Sequence, residues 1–462
     1  MLFRQLVDED LLCASYVVAD GGDAVVIDAG LSIERYLSLA RAHELTIRHV
    51  IETHVHADHV SGAQSLADAT GATIYLPGGA DARYAHRELA EGDAVEVGSV
   101  TLTALATPGH RPEHIALVVT DRSRSTTPCL VLTGDSLLVG DAARPDLAVA
   151  DRRGASGAAR ILHRSLRRLA ELGPDVELWP GHLGGSLCAG KGTSERNAST
   201  IGHELSANPA LAFDQPSGFA DWLLGNLPVR PPSVERVVAI NRGEIVPESV
   251  PPPPLSPEQV VALGWKGTVI VDGRSAAAFD EAHVPRSICV EAERTGAATR
   301  ARWAVASHER VILLGNTDEH ARSLAELLRA VGFANVAGYI AGGLDAWVGA
   351  GLEVRSTRRL TLEEAAELLW TDRITLVDVR DRDEHERVHI LGSAHVPWRE
   401  LATRGLTVAD DKQLVVACAS GRRTALAASL LERAVDAPVA RIAHGGIEDL
   451  SAFRIAVSES RG

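Results

Sequence analysis

Four potential metal ligands fall within six residues in Thr53-His54-Val55-His56-Ala57-Asp58-His59, directly after the apolar run His49-Val-Ile-Glu52. A loop at the end of a rigid strand is where a scaffold presents ligands, so these side chains can converge on one metal centre or on two. Three more candidates stand in similar settings: His110 in Thr107-Pro-Gly-His110, Asp135 in Leu132-Thr-Gly-Asp135 and His182 in Trp179-Pro-Gly-His182. The surrounding chain alternates short β-rich runs with amphipathic segments. Residues 24–28, 49–52, 73–76 and 130–132 read as buried strands, residues 61–70 as a helix closed by Gly71, and residues 93–106 as a hairpin. This is a mixed α/β layer pattern.

Pro228, Pro231, Pro232 and Pro247 precede the run Pro251-Pro-Pro-Pro254, a stretch that forms neither helix nor interior strand. Beyond it lies an internal repeat. Thr268-Val-Ile-Val-Asp272-Gly273-Arg274 matches Thr375-Leu-Val-Asp378-Val379-Arg380, and Val311-Ile-Leu-Leu-Gly315 matches Leu414-Val-Val-Ala-Cys418. A Gly-Gly pair, beginning at Gly342 and Gly445, follows each at the same spacing. The length suits about three domains: one large unit and two smaller copies of one another. Thr361-Leu-Glu-Glu marks a helix start near the head of the second copy.

The HxHxDH stretch with its three later partners resembles the metallo-β-lactamase superfamily, whose fold is an αββα sandwich with the metal site at one edge. The superfamily includes zinc hydrolases, glyoxalase II among them, and iron oxygenases, and imidazole with carboxylate suits either metal. The segments from Thr133 to Leu147, from Thr107 to His114 and from Pro180 to Lys191, with Thr200-Ile-Gly-His-Glu, look like persulfide dioxygenases, particularly a rhodanese-fused branch. That resemblance implies one Fe(II) per chain, held by His54, His110 and Asp135, with three positions left for O2 and a persulfide sulfur. It makes His56, Asp58, His59 and His182 outer groups that orient ligands and substrate, although their spacing equally permits a second metal. Cys188 reads either as a small buried thiol or as a catalytic one. Glu113 and His114 read equally well as pocket lining or exposed loop, and stay outside the site.

Cys418-Ala-Ser-Gly-Arg-Arg-Thr424 follows an apolar strand and opens a helix. A thiol there faces loop N–H groups and the positive end of the helix dipole, and both favour the thiolate. Arg422 and Arg423 add charge for an anionic donor or acceptor, and Gly421 allows a tight turn. The segment resembles the rhodanese family, which makes Cys418 the sulfur-accepting nucleophile, with Gly421 and Arg423 shaping its loop. Asp378 and Arg380 read as a structural charge pair. In the earlier repeat Gly315 stands in the cysteine position and Asn316-Thr-Asp-Glu319 replaces the loop, so that copy is expected to be catalytically silent.

The expected architecture is α/β multidomain. An αββα metallo-β-lactamase-like domain (1–245) and a Pro-rich linker (246–255) precede an inactive rhodanese-like domain (256–355) and an active one (356–462). Together the two resemblances imply oxidation of a low-molecular-weight thiol persulfide, such as that of glutathione or coenzyme A, with O2 to sulfite and thiol. Sulfur transfer through Cys418 to sulfite then gives thiosulfate. The alternative is a zinc-dependent, glyoxalase II-like thioester hydrolase fused to a sulfurtransferase. With 61 acidic against 46 basic side chains, the net charge of −15 argues against nucleic acid or an anionic membrane surface as partner. No apolar run approaches the roughly 18 residues of a membrane helix. Five scattered cysteines (Cys13, Cys129, Cys188, Cys289, Cys418) make no disulfide framework. A cytoplasmic protein with reduced thiols is expected, and the family resemblance adds a homo-oligomer.

Overall fold

The computed structural model describes all residues except 150, 187, 189–191, 228, 247–250, 307, 405–411, 436 and 460–462. Lys191, Pro228 and Pro247, singled out above, therefore lie outside the described residues, as does much of the expected linker. The chain divides into two compact units, the first covering residues 1–247 and the second most of 248–462.

The first unit is built on two six-stranded sheets. One runs Leu2–Asp8, Cys13–Asp20, Asp23–Ile27, Thr46–Ile51, Thr73–Pro77, Arg87–Leu89; the other runs Ser199–Thr200, Glu177–Pro180, Leu130–Gly134, Ile115–Asp121, Val100–Ala106, Ala94–Val97. Side chains alternate across each strand, and here both faces are apolar because both are covered. Tyr16, Val18, Val25 and Ile27 point inward, against Leu102, Leu117, Val119 and Leu132 of the facing sheet. Val17, Ala19 and Val26 point outward and pack with Tyr36 of helix Glu34–Ala42 and Leu66 of helix Ala63–Thr70. On the far side Val118 and Val131 pack under Leu162, Leu166 and Leu169 of helix Arg152–Ala170 and under Phe219 of helix Pro216–Gly225. The result is the expected αββα sandwich. Residues 94–106 form the expected hairpin, with Val97 paired to Val100, and helix Ala63–Thr70 ends on Gly71 in the left-handed conformation, at φ 74°. Among the described residues no helix is long and apolar enough to cross a membrane.

The second unit contains two five-stranded sheets of one topology. Their orders are Pro254–Leu255, Val336–Ile340, Arg310–Leu314, Thr268–Asp272, Ile288–Cys289 and Arg358–Leu360, Val439–Ile442, Gln413–Ala417, Ile374–Asp378, Ala394–His395, with every neighbour pair parallel. The sequence repeat is thus a structural repeat. One detail departs from expectation. The proline run does not stay a connection to its end, since Pro254–Leu255 forms an edge strand against Tyr339 and Ile340. An edge is the place in a sheet that tolerates proline.

Each repeat holds a buried charge pair at the end of the strand next to its central one. Arg380 donates from Nε to Asp378 Oδ1 at 3.0 Å and from Nη2 to Asp378 Oδ2 at 2.7 Å and Val388 O at 2.6 Å, and both side chains have no exposed surface. Arg274 repeats this on Asp272 and Ala282 O. Breaking such a pair strands a charge in the core. Arg380→Leu is expected to destabilise the last domain by about 3–5 kcal/mol in urea unfolding of the full chain, and a loss below about 1 kcal/mol would show the pair to be dispensable.

Gly109 tests the first unit in the same way. At φ +145°, a Cβ there would come within 2.5 Å of Leu162 Cα and 2.7 Å of its nitrogen, atoms of a helix backbone that cannot yield. Gly109→Ala is expected to cost about 1–3 kcal/mol by overpacking, read as a lowered thermal midpoint of the first unit.

Candidate functional site

Every candidate ligand in the first unit leaves the end of a strand. Thr46–Ile51 runs into the loop bearing His54, His56, Asp58 and His59; Val100–Ala106 precedes His110; the parallel neighbours Leu130–Gly134 and Glu177–Pro180 precede Asp135 and His182. All seven side chains are buried, at 0–3% exposure. The structure brings them together, and their hydrogen bonds sort them.

Among the described residues His54 Nε2, His110 Nε2 and Asp135 Oδ2 have no hydrogen-bond partner. They nevertheless face one another: Asp135 Oδ2 lies 3.7 Å from His54 Nε2 and 3.5 Å from His110 Nε2, and the three form a grouping able to hold an ion. Their other atoms are engaged. His110 Nδ1 donates to Arg144 O at 2.8 Å, which leaves the Nε2 lone pair for a metal. Thr53 Oγ1 lies 3.0 Å from His54 Nδ1 and donates to Asp28. Burial, and for His54 the neighbouring imidazoles, hold both histidines below the usual range, so they are neutral and competent as ligands. Burial pushes the Asp135 carboxyl up, but His182 and His110 outweigh it, and the group stays ionised.

His182 spans two carboxylates, with Nδ1 2.7 Å from Asp135 Oδ1 and Nε2 2.8 Å from Asp58 Oδ2. Against the cost of burial these two carboxylates raise its pKa to about 10. His59 Nδ1 lies 3.1 Å from Asp58. His56 Nε2 turns to Glu52 Oε2 at 3.1 Å and Asp28 Oδ1 at 3.3 Å. Three neighbouring groupings are also close enough to hold an ion: His56, Asp58 and His59; Asp58, His182 and Cys188; Asp28, Glu52 and His56. The donors for a second ion are thus present. Those of His182 and Asp58 are occupied by each other; among the described residues His56 Nε2 and His59 Nε2 have no hydrogen-bond partner, and neither have His54 Nε2, His110 Nε2 and Asp135 Oδ2. That set, two imidazoles and a carboxylate with no other partners, fits a resident cation.

Several residues that hold this centre lie outside the sequence prediction. His114 is 1% exposed and Glu113 8%, so the exposed-loop reading fails for both. His114 Nε2 accepts from the Asp135 amide at 2.8 Å, and its Nδ1 sits 2.8 Å from Thr107 Oγ1, while burial lowers its pKa to about 3. It therefore acts as a neutral acceptor that fixes the backbone of Asp135. Glu113 accepts from the Val55 amide at 3.2 Å. Asn241 donates to the carbonyls of His56 and His59 at 2.9 and 2.8 Å, clamping the ligand loop. The four-residue spacing of His110 and His114 was the one available signal; Asn241 gave none, because its partners are 182 and 185 residues away. Cys188 is a fully buried thiol whose pKa burial raises.

In the last domain Cys418 follows strand Gln413–Ala417 and lies beneath a loop whose exposed tip is Ala419 and Ser420. Gly421 adopts φ +79° and packs so tightly on Ala443 O that no side chain fits. Helix Thr424–Ala434 then begins. The two arginines separate. Arg422 is exposed, whereas Arg423 donates to both carboxylate oxygens of Glu384 at 2.6 and 2.7 Å, its charge met within the domain. In the earlier repeat a Cβ on Gly315 would fall 2.7 Å from the Ala321 nitrogen and 2.9 Å from Thr317 O. That loop has closed over the space a cysteine would need.

Residues 8–182 match the metallo-beta-lactamase superfamily, and residues 256–350 and 361–452 match the rhodanese-like domain. The chain is 33% identical over 169 residues to the hydroxyacylglutathione hydrolase of Anaeromyxobacter dehalogenans, a match covering 36% of this chain and 60% of that protein. It is 27% identical over 220 residues to the mitochondrial persulfide dioxygenase of Bos taurus, covering 46% of this chain and 77% of the relative. A crystal structure of a metallo-beta-lactamase from Staphylococcus aureus aligns with a TM-score of 0.64 at 27% identity, covering 74% of this chain and 99% of that one. The chain is thus a metallo-β-lactamase superfamily domain followed by two rhodanese-like domains, with hydroxyacylglutathione hydrolases and persulfide dioxygenases among its relatives.

Proposed function

We propose that the protein oxidises a low-molecular-weight thiol persulfide with O2 to sulfite and thiol in its first domain, and passes persulfide sulfur through Cys418 to sulfite in its last. The first reaction is R–S–SH + O2 + H2O → R–SH + SO3²⁻ + 2 H⁺. In the second, the Cys418 thiolate attacks the outer sulfur of a persulfide and releases R–SH. Sulfite then attacks that outer sulfur, giving thiosulfate and the free thiolate. Sulfite, the product of one site, is the acceptor at the other, which gives the fusion a chemical reason.

The observation that carries the reading is the division of Asp135. One of its oxygens is held by His182 while the other is left with His54 Nε2 and His110 Nε2 as three unpartnered donors. Two imidazoles and one carboxylate are the facial set of mononuclear ferrous oxygenases, and a bound Fe(II) would supply the activation of O2. The chain's own groups do the rest. Thr53 and the Arg144 carbonyl fix the two imidazoles, and His114 fixes the Asp135 backbone. In the last domain the exposed Arg422 is the charge open to an incoming anion.

A second reading, zinc-dependent thioester hydrolysis, is favoured by the additional donor groupings around Asp58 and by the hydrolase relative. Oxygen uptake with glutathione and coenzyme A persulfides, with metal content determined on the same sample, separates the two. Oxygenation expects about one iron per chain and O2 consumption; about two zinc, no O2 consumption and thioester cleavage would establish hydrolysis instead. His110→Ala is expected to lose most of the bound metal, and His182→Gln to retain it. Cys418→Ser is expected to leave O2 uptake intact while the product shifts from thiosulfate to sulfite, and an unchanged thiosulfate yield would remove Cys418 from the scheme.

A further inference from the structure

The silent repeat reaches into the loop of the active one. Arg294, in the segment that follows strand Ile288–Cys289 of the first rhodanese-like domain, donates from Nη1 to the carbonyl of Arg422 at 3.0 Å. Arg422 lies within the cysteine loop itself, between Gly421 and Arg423.

The segment bearing Arg294 is unusually fixed. The guanidinium of Arg300 donates to four of its carbonyls, those of Val290, Glu291, Arg294 and Thr295, each at 2.8 Å. Glu291 within it sits at φ +50°, a conformation that costs a non-glycine residue of order 1–3 kcal/mol and persists only where the surroundings impose it. Its carboxylate lies 3.3 Å from Arg294 Nη1 and aims that group. The helix that supplies Arg300, Ala297–Ala304, makes a second crossing: the Trp303 ring meets Trp398 edge-on at 6.5 Å, and the Arg399 guanidinium lies 4.6 Å from the Trp398 ring and 5.9 Å from that of Trp303. The structurally equivalent positions of the second repeat do not copy this device. Glu400 stands where Arg294 would be, and it pairs with Arg382 and Arg404 of its own domain. The strap is therefore particular to the repeat that has lost its cysteine.

We propose that Arg294 is a positioning residue for sulfur transfer, holding the Cys418 loop through the Arg422 carbonyl from a neighbouring domain. The proposal rests on the reading of Cys418 as the sulfur carrier. A nucleophile's loop misplaced by about 1 Å can lose up to 10²-fold in rate, and this hydrogen bond fixes one of the few backbone groups between Cys418 and the helix that follows it.

The test uses the full chain and measures thiosulfate formation from glutathione persulfide and sulfite. Arg294→Ala is expected to lower kcat about tenfold, with KM for sulfite and the thermal midpoint nearly unchanged. It should also change the pH profile of Cys418 alkylation by iodoacetamide, a readout that a merely structural role would not move. Arg294→Lys, which keeps a donor, is expected to recover most of the rate. Arg294→Ala with parental kcat and a parental alkylation profile overturns the inference, as does a lysine variant no better than alanine. Cys418→Ser, run in parallel, separates the two levels. If it abolishes transfer while Arg294→Ala does not lower it, only the strap falls; if it leaves transfer intact, the sulfur-carrier reading falls and takes the strap with it.

Discussion

A carboxylate without access to water keeps its charge only when its lone pairs are engaged, and the first domain is arranged around one such group. Asp135 presents Oδ1 to His182, its amide to His114, and Oδ2 to the two unpartnered imidazole nitrogens of His54 and His110. Each neighbour belongs to a different strand end, so one buried charge draws the loops of both sheets to a single edge. Three polar atoms left without partners in a core would each cost about 1–3 kcal/mol. A cation shared among them removes that cost, so metal binding and the stability of this edge are one process.

The second unit relies on a different buried charge, used twice. Asp272 with Arg274 and Asp378 with Arg380 occupy the same place in two sheets of the same strand order, each arginine also reaching a carbonyl eight residues ahead. This pair fixes the edge of the sheet from which the functional loop departs. The copies diverge one strand over, where one loop begins with Cys418 and the other with Gly315, whose surroundings leave no room for a Cβ.

What the sequence disclosed follows from the range of each interaction. The strands around the ligand loop, the hairpin at residues 94–106, the capping box at Thr361 and the helix after Cys418 are set by neighbours a few residues apart, and each stands where periodicity and caps put it. The internal repeat was legible because two copies corroborate one another. Asn241 and the Arg294 contact were not, since their partners lie more than 100 residues away and neither belongs to a motif. Glu113 and His114 fell between these cases: their types suit a site, but only burial decides between pocket and loop surface. Arg423 shows the limit of residue type, because a cation beside a cysteine suggests anion binding until Glu384 is seen to hold it.

The repeat without the cysteine packs against the one that carries it. The helix that begins at the cysteine loop lays Ala425 against Phe279 and Cys289 of that repeat, and Ser429 accepts the Cys289 amide at 3.1 Å. Arg441, on the strand beside the one that leads into Cys418, is 4% exposed and donates from Nε to Asp280 at 2.9 Å across the same boundary. Without the first repeat, Arg441 would lose its counterion and the apolar face of the helix would meet water. Losing the domain would remove the support of the helix that follows Cys418. A duplicated domain whose loop holds no cysteine therefore still supports the helix that follows the cysteine of its twin.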